Sequence, residues 1–154
     1  ILTWHKERGW TTEVLGAKGP IRDLWGRSAT DVYAVGYDSL LHFDGSSWEK
    51  ISCPKGADAC EKMRPQAVFG DNHGVYIASG DCDPLCISDC RNDTPGSGML
   101  LRYDGSRITV LAQADCFFDV TGVASGEVFA TAGNLEGGFE SAKMLTYSCP
   151  TAPE

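Results

Sequence analysis

A chain of 154 residues with a formal net charge of −8 and a pI near 4.8 has room for one domain with a real core. Its acidity argues against nucleic acid as a partner, because phosphate backbones select basic surfaces. No apolar run approaches the roughly 20 residues of a membrane-spanning helix, so no membrane span is expected.

Residues 1–14 read as two strands, with Trp4 in the first and Trp10 in the second, and Gly16 to Pro20 as a short connection. Residues 21–51 read as four short strands joined by tight turns. Leu24 and Trp25 end the first apolar run and Gly26 breaks it; Val32 to Gly36 form the second. Leu40 to Phe43 form the third, Asp44-Gly45 is a hairpin signal, and Trp48 to Ile51 form the fourth. Residues 52–64 read as a loop bracketed by Cys53 and Cys60, and a disulfide between these two would close it.

The pattern then repeats. Val68-Phe69-Gly70 matches Leu24-Trp25-Gly26, and Val75 to Gly80 matches Val32 to Gly36. Leu100 to Ser106 matches Leu40 to Ser46 almost residue for residue, Asp104-Gly105 included. A third copy starts at Val120-Thr121-Gly122 and continues through Glu127 to Gly133. The repeat glycines Gly26, Gly70 and Gly122 are 44 and 52 residues apart, which suits a four-stranded unit. At the N-terminus, Ile1 to Trp4 match Leu40 to Phe43, and Trp10 falls where Trp48 does.

These residues carry a resemblance. The unit built on Leu24-Trp25-Gly26, Asp31 to Gly36 and Leu40 to Trp48 resembles the β-propeller repeats of large bacterial secreted and cell-surface proteins, a group loosely akin to WD and kelch repeats. The resemblance implies an all-β fold of tandem four-stranded antiparallel blades, a β-propeller or a segment of one. It implies a partial blade at 1–14, a blade at 21–51, a blade at 65–111 with an insertion at 81–98, and an incomplete blade at 117–148. Closed rings need about four to eight blades, so the expected partners are the remaining blades of a longer protein or other chains that complete a ring. Free strand edges invite such pairing.

Seven cysteines fit an oxidising compartment, and the expected location is extracellular or at the cell surface. The disulfide candidates are Cys53, Cys60, Cys82, Cys86, Cys90, Cys116 and Cys149, with the connectivity open beyond the Cys53–Cys60 pair. The even spacing of Cys82, Cys86 and Cys90 could hold zinc, but the usual C-x₂-C knuckle is missing and no metal site is assigned.

The insertion at 81–98 and a smaller one from Asn134 to Lys143 stand at equivalent places in the repeat, where binding loops of repeat proteins collect. Asp81, Asp83, Asp89 and Asp93 in the first could supply calcium oxygens, although their spacing is not that of an EF-hand and turn formation explains them as well. Asn92-Asp93-Thr94 fits the N-glycosylation pattern. Tyr37, at the rim, is the best placed aromatic for a ligand such as a glycan. The aromatics that recur at fixed places, Trp4 with Phe43, Tyr103 and Tyr147, and Trp10 with Trp48, are expected to pack between blades. His5, His42 and His73 look isolated, with His42 on a strand and facing solvent. No nucleophile elbow, catalytic triad or phosphate-binding loop is present, so no enzyme is expected. The leading expectation is a non-enzymatic extracellular structural or interaction module. A carbohydrate-binding propeller and a share of a larger propeller enzyme are the alternatives.

Overall fold

A computed structural model describes residues 1–13, 15, 19–37, 39–53, 58–80, 98–114, 116–123, 126–133 and 143–148. The fold is all-β, with one short helix. Strands β1 (Leu2–His5) and β2 (Gly9–Thr12) form a hairpin. The second sheet holds β3 (Ile21–Ser28), β4 (Asp31–Gly36), β5 (Ser39–Phe43) and β6 (Trp48–Lys50) in chain order, all antiparallel. Helix α1 (Asp58–Glu61) interrupts the connection that sequence alone assigns to loop. The third sheet, also four-stranded and antiparallel, holds β7 (Pro65–Asp71), β8 (Gly74–Ser79), β9 (Gly98–Tyr103) and β10 (Ile108–Ala114). The last sheet has β11 (Cys116–Gly122), β12 (Glu127–Gly133) and β13 (Lys143–Ser148).

The sequence repeat becomes a backbone repeat. Each leading strand carries a register shift at the same place, between Ile21 and Asp23, Pro65 and Ala67, and Phe117 and Asp119. A bulge of this kind bends its strand and tightens the local twist, so the three strands acquire the same curvature. Gly26 does not end β3, which runs on to Ser28. The two Asp-Gly turns are also copies. Asp44 Oδ1 accepts the backbone N–H of Ser46 and Ser47 and the Ser46 hydroxyl, all at 2.8 Å. Asp104 Oδ1 accepts the same set from Ser106 and Arg107 at 2.8–2.9 Å. Gly45 and Gly105 both sit at φ +98°, where a side chain would be strained.

The sheets stack face to face, with β7 packed between β3 and β11. Alternation along each strand explains why. In β8, Val75 and Ile77 point towards the second sheet, where they meet Tyr33, Val35 and Leu40. Tyr76 and Ala78, one residue out of phase, point towards the last sheet and meet Val120, Val128 and Ala130. A strand covered on both faces needs apolar residues at successive positions, and Val75 to Ala78 supply them. Each Val, Leu or Ile buried this way contributes on the order of 1.5–3 kcal/mol. Cys60 and Met63, from the connection before β7, complete the first of these two cores.

Candidate functional site

Antiparallel order sends the chain back and forth across each sheet and gives the stack two sides. On one side lie the turns at Asp44 and Asp104 and the starts of β4 and β8. On the other lie Tyr37, the Cys53–Cys60 disulfide, Arg64 and the end of β8. Hydrogen bonds tie this second side together: Arg64 N donates to Ser79 Oγ at 2.8 Å, Gly80 N to Arg64 O at 3.0 Å, and Gln66 Nε2 to Gly80 O at 2.6 Å. The end of β8 and the start of β9 lie on this side, and the insertion expected at 81–98 lies outside the described residues except for Gly98, the first residue of β9.

Tyr37 is exposed, as a ligand contact requires, but its surroundings are partly committed. The Arg64 guanidinium lies 5.7 Å from its ring centroid, a cation–π contact worth about 0.5–1 kcal/mol at an exposed site. Asp81, Asp83, Asp89 and Asp93, together with Cys82, Cys86, Cys90 and Cys149, lie outside the described residues. So does Asn92-Asp93-Thr94. Cys53 and Cys60 form a disulfide with their Cα atoms 5.5 Å apart, and Cys116, fully buried, is disulfide-bonded as well. Among the described residues, no group of three or more His, Cys, Asp or Glu is placed to hold a metal ion.

On the opposite side from Tyr37, the described residues hold a polar cluster within the second sheet that reaches across to the third. Arg27 Nη1 donates to Asp31 Oδ2 at 2.7 Å, and Nη2 donates to the Asp71 carbonyl of the next sheet at 2.7 Å. The same guanidinium lies 5.5 Å from the Trp25 ring centroid. His42 Nε2 stands 2.9 Å from Asp31 Oδ1, and the imidazole stacks on Tyr33 with 4.6 Å between centroids. His42 is therefore half-buried and engaged rather than turned to solvent, because its face of β5 looks towards the next sheet. Burial, reinforced by the Asp31 charge, pushes the Tyr33 hydroxyl above its ordinary value. The cluster holds Arg27, Asp31 and His42 together on one sheet and ties Arg27 to the backbone of the next.

The contacts between the second and third sheets follow the repeat step. Arg22 Nη1 donates to Gln66 Oε1, Trp25 packs on Phe69 with 5.9 Å between centroids, and Arg27 reaches Asp71. In each pair the second residue is the repeat equivalent of the first, 44 positions on. Asp23 adds a clip, its Oδ2 accepting the Val68 N–H at 2.8 Å while Oδ1 accepts that of Leu24 at 2.8 Å. A methyl group built on Gly70 would overlap the Trp25 ring, and one on Gly122 would overlap the Phe69 ring. An aromatic residue of one sheet thus seats on the glycine of the next, twice in succession. The sequence displays both the aromatics and the glycines but not that they meet across sheets.

Two aromatics depart from the expectation of inter-sheet packing. Trp4 and Trp10 stand opposite each other in the β1–β2 register, but they are 58 % and 69 % exposed. No described sheet lies over them. Ile1, on the other face of the hairpin, lines an open groove with Ile21, Arg22, Asp23 and Leu24.

Comparison with protein-family models, curated proteins and solved structures finds no match to this chain.

Proposed function

We propose that this chain is a non-enzymatic extracellular structural or interaction module, made of propeller-type blades and belonging to a larger protein or assembly. Each four-stranded sheet is one blade, and the bulged leading strands β3, β7 and β11 are the innermost strands. The observation that carries this reading is the contact of equivalent residues 44 positions apart, in Arg22–Gln66, Trp25–Phe69 and Arg27–Asp71. Units related by rotation about a nearby axis bring equivalent positions together at the axis, which is how blades meet in a propeller. The disulfides at Cys53–Cys60 and Cys116 support an oxidising location. The polar groups that cluster, Arg27, Asp31 and His42, are spent on one another and on the neighbouring sheet, which favours docking over turnover.

The test is the size of the native material, under non-reducing and then reducing conditions. A covalent chain or a complex much larger than 16.6 kDa is expected. A monomer of 16.6 kDa at every concentration would contradict the proposal.

A further inference from the structure

We propose that the face of the β1–β2 hairpin bearing Leu2, Trp4 and Trp10 is a docking surface for another sheet of this repeat. That sheet covers the face with an aromatic, a small aliphatic and a leucine side chain. The inference rests on the stacked-module reading above and names what the module docks.

The register pairs Trp4 with Trp10 and Leu2 with Thr12, and the exposed residues Leu2, Trp4, Trp10 and Thr12 share one face. The repeat gives each apolar member an equivalent in the next two sheets: Leu41 and Leu101 for Leu2, Phe43 and Tyr103 for Trp4, Trp48 and Ile108 for Trp10. Those equivalents are covered. Leu41 is 5 % and Leu101 0 % exposed, against 66 % for Leu2. Tyr103 and Ile108 pack against the core between the second and third sheets. Phe43 and Trp48 are half-buried with their rings 5.3 Å apart, the same opposed pair as Trp4 and Trp10. This face is an inter-sheet surface in the third sheet, is buried at Leu41 in the second, and stands open in the hairpin.

The third sheet also shows what the cover is made of. Its Leu101, Tyr103 and Ile108 share a core with Tyr33, Val35 and Leu40 of the sheet before. The last sheet receives the corresponding Tyr76, Ala78 and Leu100. An aromatic, a small aliphatic and a leucine recur, and the same trio fits over Leu2, Trp4 and Trp10. A second copy of this chain supplies it poorly. Its last sheet carries Phe129 where Tyr33 and Tyr76 stand, but exposed Thr131 where Val35 and Ala78 stand, beside exposed Asp119 and Thr121. A large exposed apolar face marks an interaction site, and its equivalence to the covered face of the third sheet points to a partner sheet with a more apolar surface than this chain's own end.

Hydroxyl-radical footprinting of the native material beside the purified 154-residue chain tests this. Trp4 and Trp10 are expected to oxidise several-fold more slowly in the native material, with Trp48 unchanged between the two. Cross-linking from Lys6, exposed at the hairpin turn, is expected to capture a peptide with the aromatic–aliphatic–leucine pattern. Equal oxidation of Trp4 and Trp10 in a native species much larger than 16.6 kDa would overturn this docking surface while leaving the module reading in place. A native species of 16.6 kDa would overturn both. Protection that grows with concentration in the purified chain would assign the face to a second copy and overturn the occupant named here, as would a cross-linked peptide outside the repeat pattern.

Discussion

Asp44 and Asp104 show how a two-residue signal becomes a fixed local structure. The backbone N–H of Ser47, then the N–H and hydroxyl of Ser46, hold the Asp44 carboxyl down to about 2. The Arg107 and Ser106 N–H groups, with the Ser106 hydroxyl, do the same for Asp104, also to about 2. An unfolded aspartate titrates near 3.9, so both turns favour the folded state above about pH 4 and lose that contribution as pH falls towards 2. An NMR titration should place both carboxyls near 2, and replacing both with alanine should flatten the acid limb of stability between about pH 4 and 2. Titration of either near 3.9 would mean that the turn contacts do not persist in solution. These turns were legible, because Asp-Gly-Ser occurs twice at matching places. Asp23 was not, because a carboxylate that accepts an N–H from another sheet leaves no mark in its own neighbourhood. Asp23→Ala strands the Val68 N–H and should cost about 1–3 kcal/mol in denaturant unfolding. Asp119→Ala removes a bond to its own neighbour Val120 only and should cost less, about 0.5–1.5 kcal/mol. Equal losses would remove the inter-sheet role of Asp23.

At the scale of elements, alternation and turn residues were enough to place the strands, since apolar runs such as Val75 to Ala78 and Val32 to Val35 stand between clear breaks. These runs are the second strands of their sheets, flanked on both sides, which is why they are the most apolar. The bulges were hidden, because Arg22, Gln66 and Phe118 share position and nothing else. Helix α1 was hidden too, as four residues are too few to show a helical period. Its connection is anchored at Cys60, buried in the first core with Met63. Replacing Cys53 and Cys60 with serine should lower stability by about 2–3 kcal/mol, the chain-entropy value for so short a loop, measured by thermal or denaturant unfolding. An unchanged midpoint would show that the connection holds its place by packing alone.

For the whole molecule, the 44-residue step announces a repeat and its chain order becomes the order of the stack. Tyr103 follows the expected packing between sheets, Phe43 and Trp48 pack on each other within the second sheet, and Trp4 and Trp10 are exposed. Sequence equivalence identifies a face but not whether a neighbour lies on it, and that is a property of the stack. Successive sheets dock by seating an aromatic residue on the next sheet's glycine. Gly70 receives Trp25 and Gly122 receives Phe69, while a methyl group on Gly26, the first of the series, would meet Val32 Cγ2 at 3.2 Å and Ser28 O and Val32 Cγ1 at 3.6 Å, of its own sheet. Denaturant unfolding of Gly70→Ala beside Gly26→Ala measures this directly. Gly70→Ala should lose about 1–3 kcal/mol, the cost of overpacking a filled interface, and Gly26→Ala well under that. Equal effects at the two glycines would contradict this mode of docking, because the sheets would then not be stacked through these residues.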